Sequence, residues 1–121
     1  SIDRVLADGD GLHLGYLTRP MLERLSRVVE AGRLSRDGAH AEVLRLYAEA
    51  AEISRRHSAL TLSSDLLDLG LAHAACGDHA KADAVFREAG RWGAWLGIAA
   101  DEAMATTNRA GLAVLEGRRC R

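Results

Sequence analysis

Proline and large aromatic side chains are scarce in this sequence. Pro20 is the only proline, and Tyr16, Tyr47, Phe86, Trp92 and Trp95 are the only rings other than histidine. Leucine and alanine dominate and β-branched residues are few, so propensity alone favours helix. A core so poor in rings has to be built by close packing of leucine and alanine, as adjacent helices allow. Cysteine is limited to Cys76 and Cys120, which supplies no disulfide framework and makes a reduced, cytoplasmic compartment the default. No stretch approaches the roughly 18 continuous apolar residues of a membrane span, and no signal peptide is recognisable at the start. No membrane role is expected.

An excess of one charge is missing too. Sixteen Lys and Arg face 17 Asp and Glu for a net charge of −1, and the two signs are mixed in both halves. Without a basic stripe there is no electrostatic footprint for direct nucleic-acid contact. The basic end Arg118-Arg119-Cys120-Arg121 reads as a solvated terminus. Lys81 is the only lysine among the sixteen basic residues, a bias that fits a GC-rich bacterial genome. Nor is there a Gly-x-Ser-x-Gly, P-loop or dinucleotide fingerprint. An enzyme is not expected, and no cofactor is called for.

What is present is a segment that returns 39 residues later. Gly38-Ala39-His40-Ala41-Glu42 recurs as Gly77-Asp78-His79-Ala80-Lys81, and Tyr47-Ala48-Glu49-Ala50 as Phe86-Arg87-Glu88-Ala89. Gly77 recurs again as Gly117. A period of this size belongs to stacked supersecondary units, each burying its apolar face against its neighbours. It points to a recognition surface. At 121 residues the chain makes one domain, divided into an irregular N-terminal segment at 1–19 and a repeat region at 20–121.

Spacing predicts five helices. Pro20 suits the first turn of one that carries Met21, Leu22, Leu25, Val28 and Val29 and ends between Gly32 and Gly38. A second covers 39–56, with Val43, Leu44, Tyr47, Ala50 and Ala51 on one side, and Arg55-Arg56-His57-Ser58 forms a connection. A third covers 59–76, closed by Gly77. Asp78 caps a fourth carrying Ala82, Val85, Phe86, Ala89, Trp92 and Trp95. A fifth covers 98–116, with Met104, Leu112 and Leu115. Short connections imply antiparallel neighbours. In the N-terminal segment, Ile2, Val5 and Leu6 suggest a short helix and Leu12, Leu14 and Tyr16 a short extended piece. Asp8-Gly9-Asp10-Gly11 between them resembles a calcium-loop fragment, but the twelfth position is Arg19 where a bidentate Glu is needed, so a turn is expected.

Leu66, Leu69-Gly70, His73, Gly77, Ala82, Phe86 and Ala89 carry a spacing that resembles the tetratricopeptide repeat. Gly70 and Ala82 are small enough for two helices to cross closely, and Phe86 fills the gap beside them. The segment 44–53 reads like the second helix of a preceding unit, and 108–117 like the first helix of a following one. The period exceeds the about 34 residues of the commonest form and is similar to the longer repeats of bacterial maltose-activator-type regulators and ATPase-linked signalling proteins. His73 replaces the usual aromatic, and Arg109 stands where Leu is expected. The resemblance implies an all-α fold of antiparallel helical hairpins stacked as a right-handed superhelix of about two and a half repeats. It further implies a bacterial cytoplasmic origin, within a larger signalling or transcription-regulating protein. The alanine-rich fifth helix favours a piece of a longer array over a terminal cap.

Chemistry-bearing groups have bland readings. His73, Cys76 and His79 include zinc-ligand types, but Gly77-Asp78 breaks the helix before His79, and His40 echoes His79 without a cysteine. No metal site is expected. The acidic pairs Asp65/Asp68 and Asp101/Glu102 read as solvated helix faces, and Ser63-Ser64-Asp65 as a helix start or exposed turn. No catalytic residue is assigned. In the family, the first helix of each unit lines a concave groove. By register this places Ser64, Leu67, Leu71, Ala74 and Ala75 there from one unit, and Met104, Thr107, Gly111 and Val114 from the next. Without Lys, Arg or Asn among them, a carboxylate clamp for chaperone tails is disfavoured. An apolar groove suits a helical or extended peptide from a protein partner, though neighbouring repeats would cover the same residues equally well. Self-association as a homodimer is the second reading. Trp92 and Trp95 suggest a partner hot spot or, more commonly, packing into an adjoining repeat.

Overall fold

The computed structural model describes residues 18–119. The Asp8–Gly11 turn, the two short N-terminal pieces and the basic end with Cys120 lie outside the residues whose side chains are described. Five helices make up the described chain: α1 Arg19–Ser35, α2 His40–His57, α3 Ala59–Ala75, α4 His79–Leu96 and α5 Ala99–Arg119, with no strand among the described residues. Pro20 sits in the first turn of α1, where its missing N–H costs nothing. Asp78 accepts a hydrogen bond from the Lys81 backbone N–H at the start of α4. The 55–58 connection is shorter than the sequence suggests: the helix runs through His57 and only Ser58 separates α2 from α3.

Three of the helix ends are built alike. Gly38, Gly77 and Gly97 hold φ of 74°, 84° and 75°, a left-handed conformation that costs glycine little. In each, the glycine N–H reaches the carbonyl three residues back, and the next N–H reaches five back: Ala39 to Leu34, Asp78 to His73, Ile98 to Gly93. The first two are the glycines of the 39-residue echo. Burial follows the same register, since Ala31 and Gly70, Val43 and Ala82, Ala50 and Ala89, and Ser54 and Gly93 are all buried.

Each helix packs along its neighbour in sequence. Cross-helix pairs such as Arg27 with Glu49 and His79 with Glu116 show that successive helices run antiparallel. Beyond these sequential pairs, the one further helix contact among the described residues joins α3 to α5. No Cα of α1 comes within 8 Å of one in α3. The main core joins Leu62, Leu66 and Leu67 of α3 to Ala82, Phe86 and Ala89 of α4 and Ala105 and Leu112 of α5. A smaller cluster of Ala31, Val43, Leu46 and Ala72 seals α1 and α2 onto α3. On α1, Leu22 and Ala31 are buried while Leu25 and Val29 are exposed, so part of its expected apolar face is uncovered.

The tightest crossing is α3 on α4. A Cβ built on Gly70 would fall inside contact distance of three carbons of the Phe86 ring, and Phe86 is almost wholly buried. The ring occupies the space a side chain at residue 70 would need, as the spacing of the two predicts. Gly70→Ala should therefore destabilise by about 2 kcal/mol, the overpacking cost outweighing the about 1 kcal/mol that alanine gains in a helix. Gly111→Ala, with nothing within 4 Å of its added carbon, should be neutral or stabilising. Urea midpoints of the two variants check this, and Phe86→Leu should restore much of the loss at Gly70→Ala.

Candidate functional site

Helix α3 is apolar on nearly every side, with leucine at 60, 62, 66, 67, 69 and 71. An aspartate in such a helix is driven inward with its neighbours. Asp65 is fully buried, which overturns the expectation of a solvated acidic pair. Arg24 of α1 grips it bidentately, Nε donating to Oδ2 at 2.8 Å and Nη2 to Oδ1 at 2.5 Å. The buried Ser54 hydroxyl of α2 also donates to Oδ2. Because an ionised carboxylate only accepts, Ser54 spends its proton there and receives the Thr61 hydroxyl across 2.8 Å. The hydrogen bond to Asp65 and the nearby charge raise the pKa of Arg24. A similar link recurs one unit on, where the buried Ser63 hydroxyl donates to Asp101 of α5 at 2.6 Å. Ser63, Ser64 and Asp65 thus lie inside α3, not at a helix start or an exposed turn.

Asp68, one turn further along α3, is half-buried. Among the described residues its carboxylate has no hydrogen-bond partner, and neither has the hydroxyl of Tyr47. Burial, with Asp65 and Asp101 adding to it and Arg24 opposing, pushes the Asp68 pKa up to about 6. Burial and the charges of Asp68 and Asp65 likewise raise Tyr47. The two residues line a cavity of about 160 Å³ that lies between the end of α1, the start of α2 and α3.

The residues assigned to the groove divide. Ser64, Ala75, Thr107 and Gly111 are exposed, as are Leu71 at 51%, Met104 at 54% and Val114 at 54%. Leu67 is instead part of the main core, and Ala74 is half-buried against it. Leu71 and Ala75 line the cavity that holds Asp68 and Tyr47, whereas the four α5 residues do not. The sequence pattern gives no pointer to Arg24, and it places Tyr47 on an apolar helix side and Asp68 on a solvated one without making either a site residue. The signal that was available is the pair of aspartates at a three-residue spacing inside a leucine-rich helix, where a fully solvated face has no room.

The other candidates are dispersed. Trp92 and Trp95 meet edge to face with centroids 5.8 Å apart. Trp92 donates its Nε1–H to Glu88 at 3.2 Å, while Trp95 is 77% exposed. Cys76 is exposed, and burial lowers the pKa of His73. His79 pairs through Nδ1 with Glu116 at 2.7 Å. Among the described residues no three metal-ligating side chains come together, and no helix is long and apolar enough to cross a membrane. No family model matches the chain, and no curated protein or solved structure matches it.

Two outcomes follow from the carboxylates. Arg24→Met should cost about 3 kcal/mol by leaving Asp65 charged and buried. The double variant Arg24→Met/Asp65→Leu should recover most of that loss, as read by denaturant unfolding. Asp68 behaves oppositely. Its folded pKa lies above its unfolded value of 3.8, so the folded state holds its proton more tightly and stability falls as pH rises between the two. Asp68→Asn should therefore raise stability by about 1 kcal/mol at pH 7.5, after allowing for solvent screening at a half-buried site. The gain should vanish near pH 4, and carboxylate NMR titration should place the wild-type midpoint near 6.

Proposed function

We propose that this chain is a tetratricopeptide-like unit that holds a helical or extended segment of a partner protein along the face shared by α1, α3 and α5. The observation that carries the reading is the exposure of Leu71 on α3 and of Met104 and Val114 on α5, on helices that also contribute Leu62, Leu66, Ala105 and Leu112 to the core. The repeated helix closures at Gly38 and Gly77 and the small-residue crossing at Gly70 support a stacked-repeat superhelix. The reading gives the chain no covalent chemistry. Asp65 is sealed by Arg24 and Ser54, so it is not free to work with Asp68 as an acid–base pair on a substrate. By likeness to the long-period repeats, we place the unit in a larger bacterial regulator acting in the cytoplasm.

The exposed apolar residues on the outermost helices, Leu25 and Val29 of α1 and Val114 and Leu115 of α5, favour a second reading, in which copies of the chain associate through these faces. One experiment serves both. Peptides selected from a displayed random library against the 121-residue chain should bind saturably. Leu71→Arg should weaken them by about tenfold or more, the cost of placing a charge in an apolar contact, with helicity unchanged. Undiminished binding by Leu71→Arg would remove the groove from this face. A dimer by light scattering at micromolar concentration, dispersed by Val114→Arg, would instead select self-association.

A further inference from the structure

The cavity beside Leu71 is more specific than an apolar groove. Its floor is the buried pair Val43 and Ala72, its rim Leu71 and Ala75, and its polar groups Ser35, His40, Tyr47 and Asp68. The charges around it do not balance. Arg24 is committed to Asp65 through both of its hydrogen bonds, and Asp101 is held only by a neutral serine. Among the described residues Asp65, Asp68 and Asp101 thus confront one guanidinium, and the other titratable groups lining the cavity are Tyr47 and His40.

The chemistry of the lining narrows the occupant. An anion would meet a carboxylate. A purely apolar group would leave that carboxylate and a tyrosine hydroxyl without partners. A divalent cation needs several oxygen ligands, and Asp68 belongs to no metal-ligating cluster of three among the described residues. An aliphatic chain ending in a cation satisfies every wall. Its methylenes lie against Val43, Leu71, Ala72 and Ala75, and its head makes a charge-assisted hydrogen bond to Asp68 beside the ring of Tyr47. We infer that this cavity is the anchor pocket for a lysine or arginine side chain of the partner segment held along the α1–α3–α5 face. The inference rests on the groove reading and gives its partner a chemistry, a basic residue flanked by apolar ones. The raised pKa of Asp68 agrees, because a carboxylate held up by burial and like charges is one whose ionised form a bound cation would relieve.

The test uses the whole chain and two kinds of probe. n-Butylammonium and n-butylguanidinium, titrated at pH 7.5, should give saturable amide NMR shifts at Tyr47, Leu71, Ala72 and Ala75. n-Butanol, of equal length and no charge, should give none. Asp68→Asn, expected to fold more stably than wild type, should weaken the cations by about tenfold or more. No saturable shift with either cation, or equal shifts in Asp68→Asn, overturns the pocket. The second probe is an apolar amphipathic model helix with one lysine, compared with its glutamine counterpart. The lysine peptide should bind about tenfold more tightly to wild type and equally to Asp68→Asn. Equal binding of both peptides to wild type leaves the groove standing and overturns the anchor. Binding of the small cations without either peptide overturns the peptide source and the groove reading together, and assigns the cavity to a free organic cation.

Discussion

Three helices meet on one carboxylate with no access to solvent. Asp65 of α3 takes two hydrogen bonds from Arg24 of α1 and one from Ser54 of α2. The backbones of α1 and α3 stay more than 8 Å apart, so side chains have to span the gap. A buried ion pair of this kind contributes little net stability over an apolar substitute. What it supplies is register: a bidentate guanidinium fits in one place along α3, whereas leucine against leucine slides at small cost. Ser54 and Thr61 complete the network, and no buried side-chain polar atom is left without a partner among the described residues.

This arrangement has an electrostatic consequence next door. Because Arg24 is consumed by Asp65, the next aspartate on the same side of α3 is left with burial and two like charges and, among the described residues, no cation of its own. The strain falls on a half-buried group beside a small cavity, not on a sealed one. A carboxylate so placed is cheap to protonate and ready to receive a positive partner, and the same feature serves stability and recognition in opposite directions.

Much of the fold was legible along the chain. Pro20, Gly77 and Asp78 bounded helices by local chemistry, and Gly70 with Phe86 announced a close crossing because a small residue and a large one recur at positions that face each other. The echo of Gly38 in Gly77 carried through to matching backbone conformation and hydrogen bonds. The candidate site was far less legible. Leu67 matches the groove register yet points its surface into the core, since the repeat period places a residue on a helix but not within the few tens of degrees that separate groove from interior. Asp65 and Asp68 were read as solvated because a charge is usually outside. The partner that makes burial of Asp65 tolerable is Arg24, 41 residues earlier, and nothing local to either residue foretells the other.

The sequence by itself determined that the chain is helical, where most of its helices begin and end, and which small residues let them approach. These are consequences of propensity, capping and steric size, which act over a few residues. Only the tertiary structure decided which aspartate is neutralised and which is left open, which leucines are covered, and where a cavity remains. Those outcomes depend on distances between groups remote in sequence, and burial and Coulomb energy respond to such distances alone.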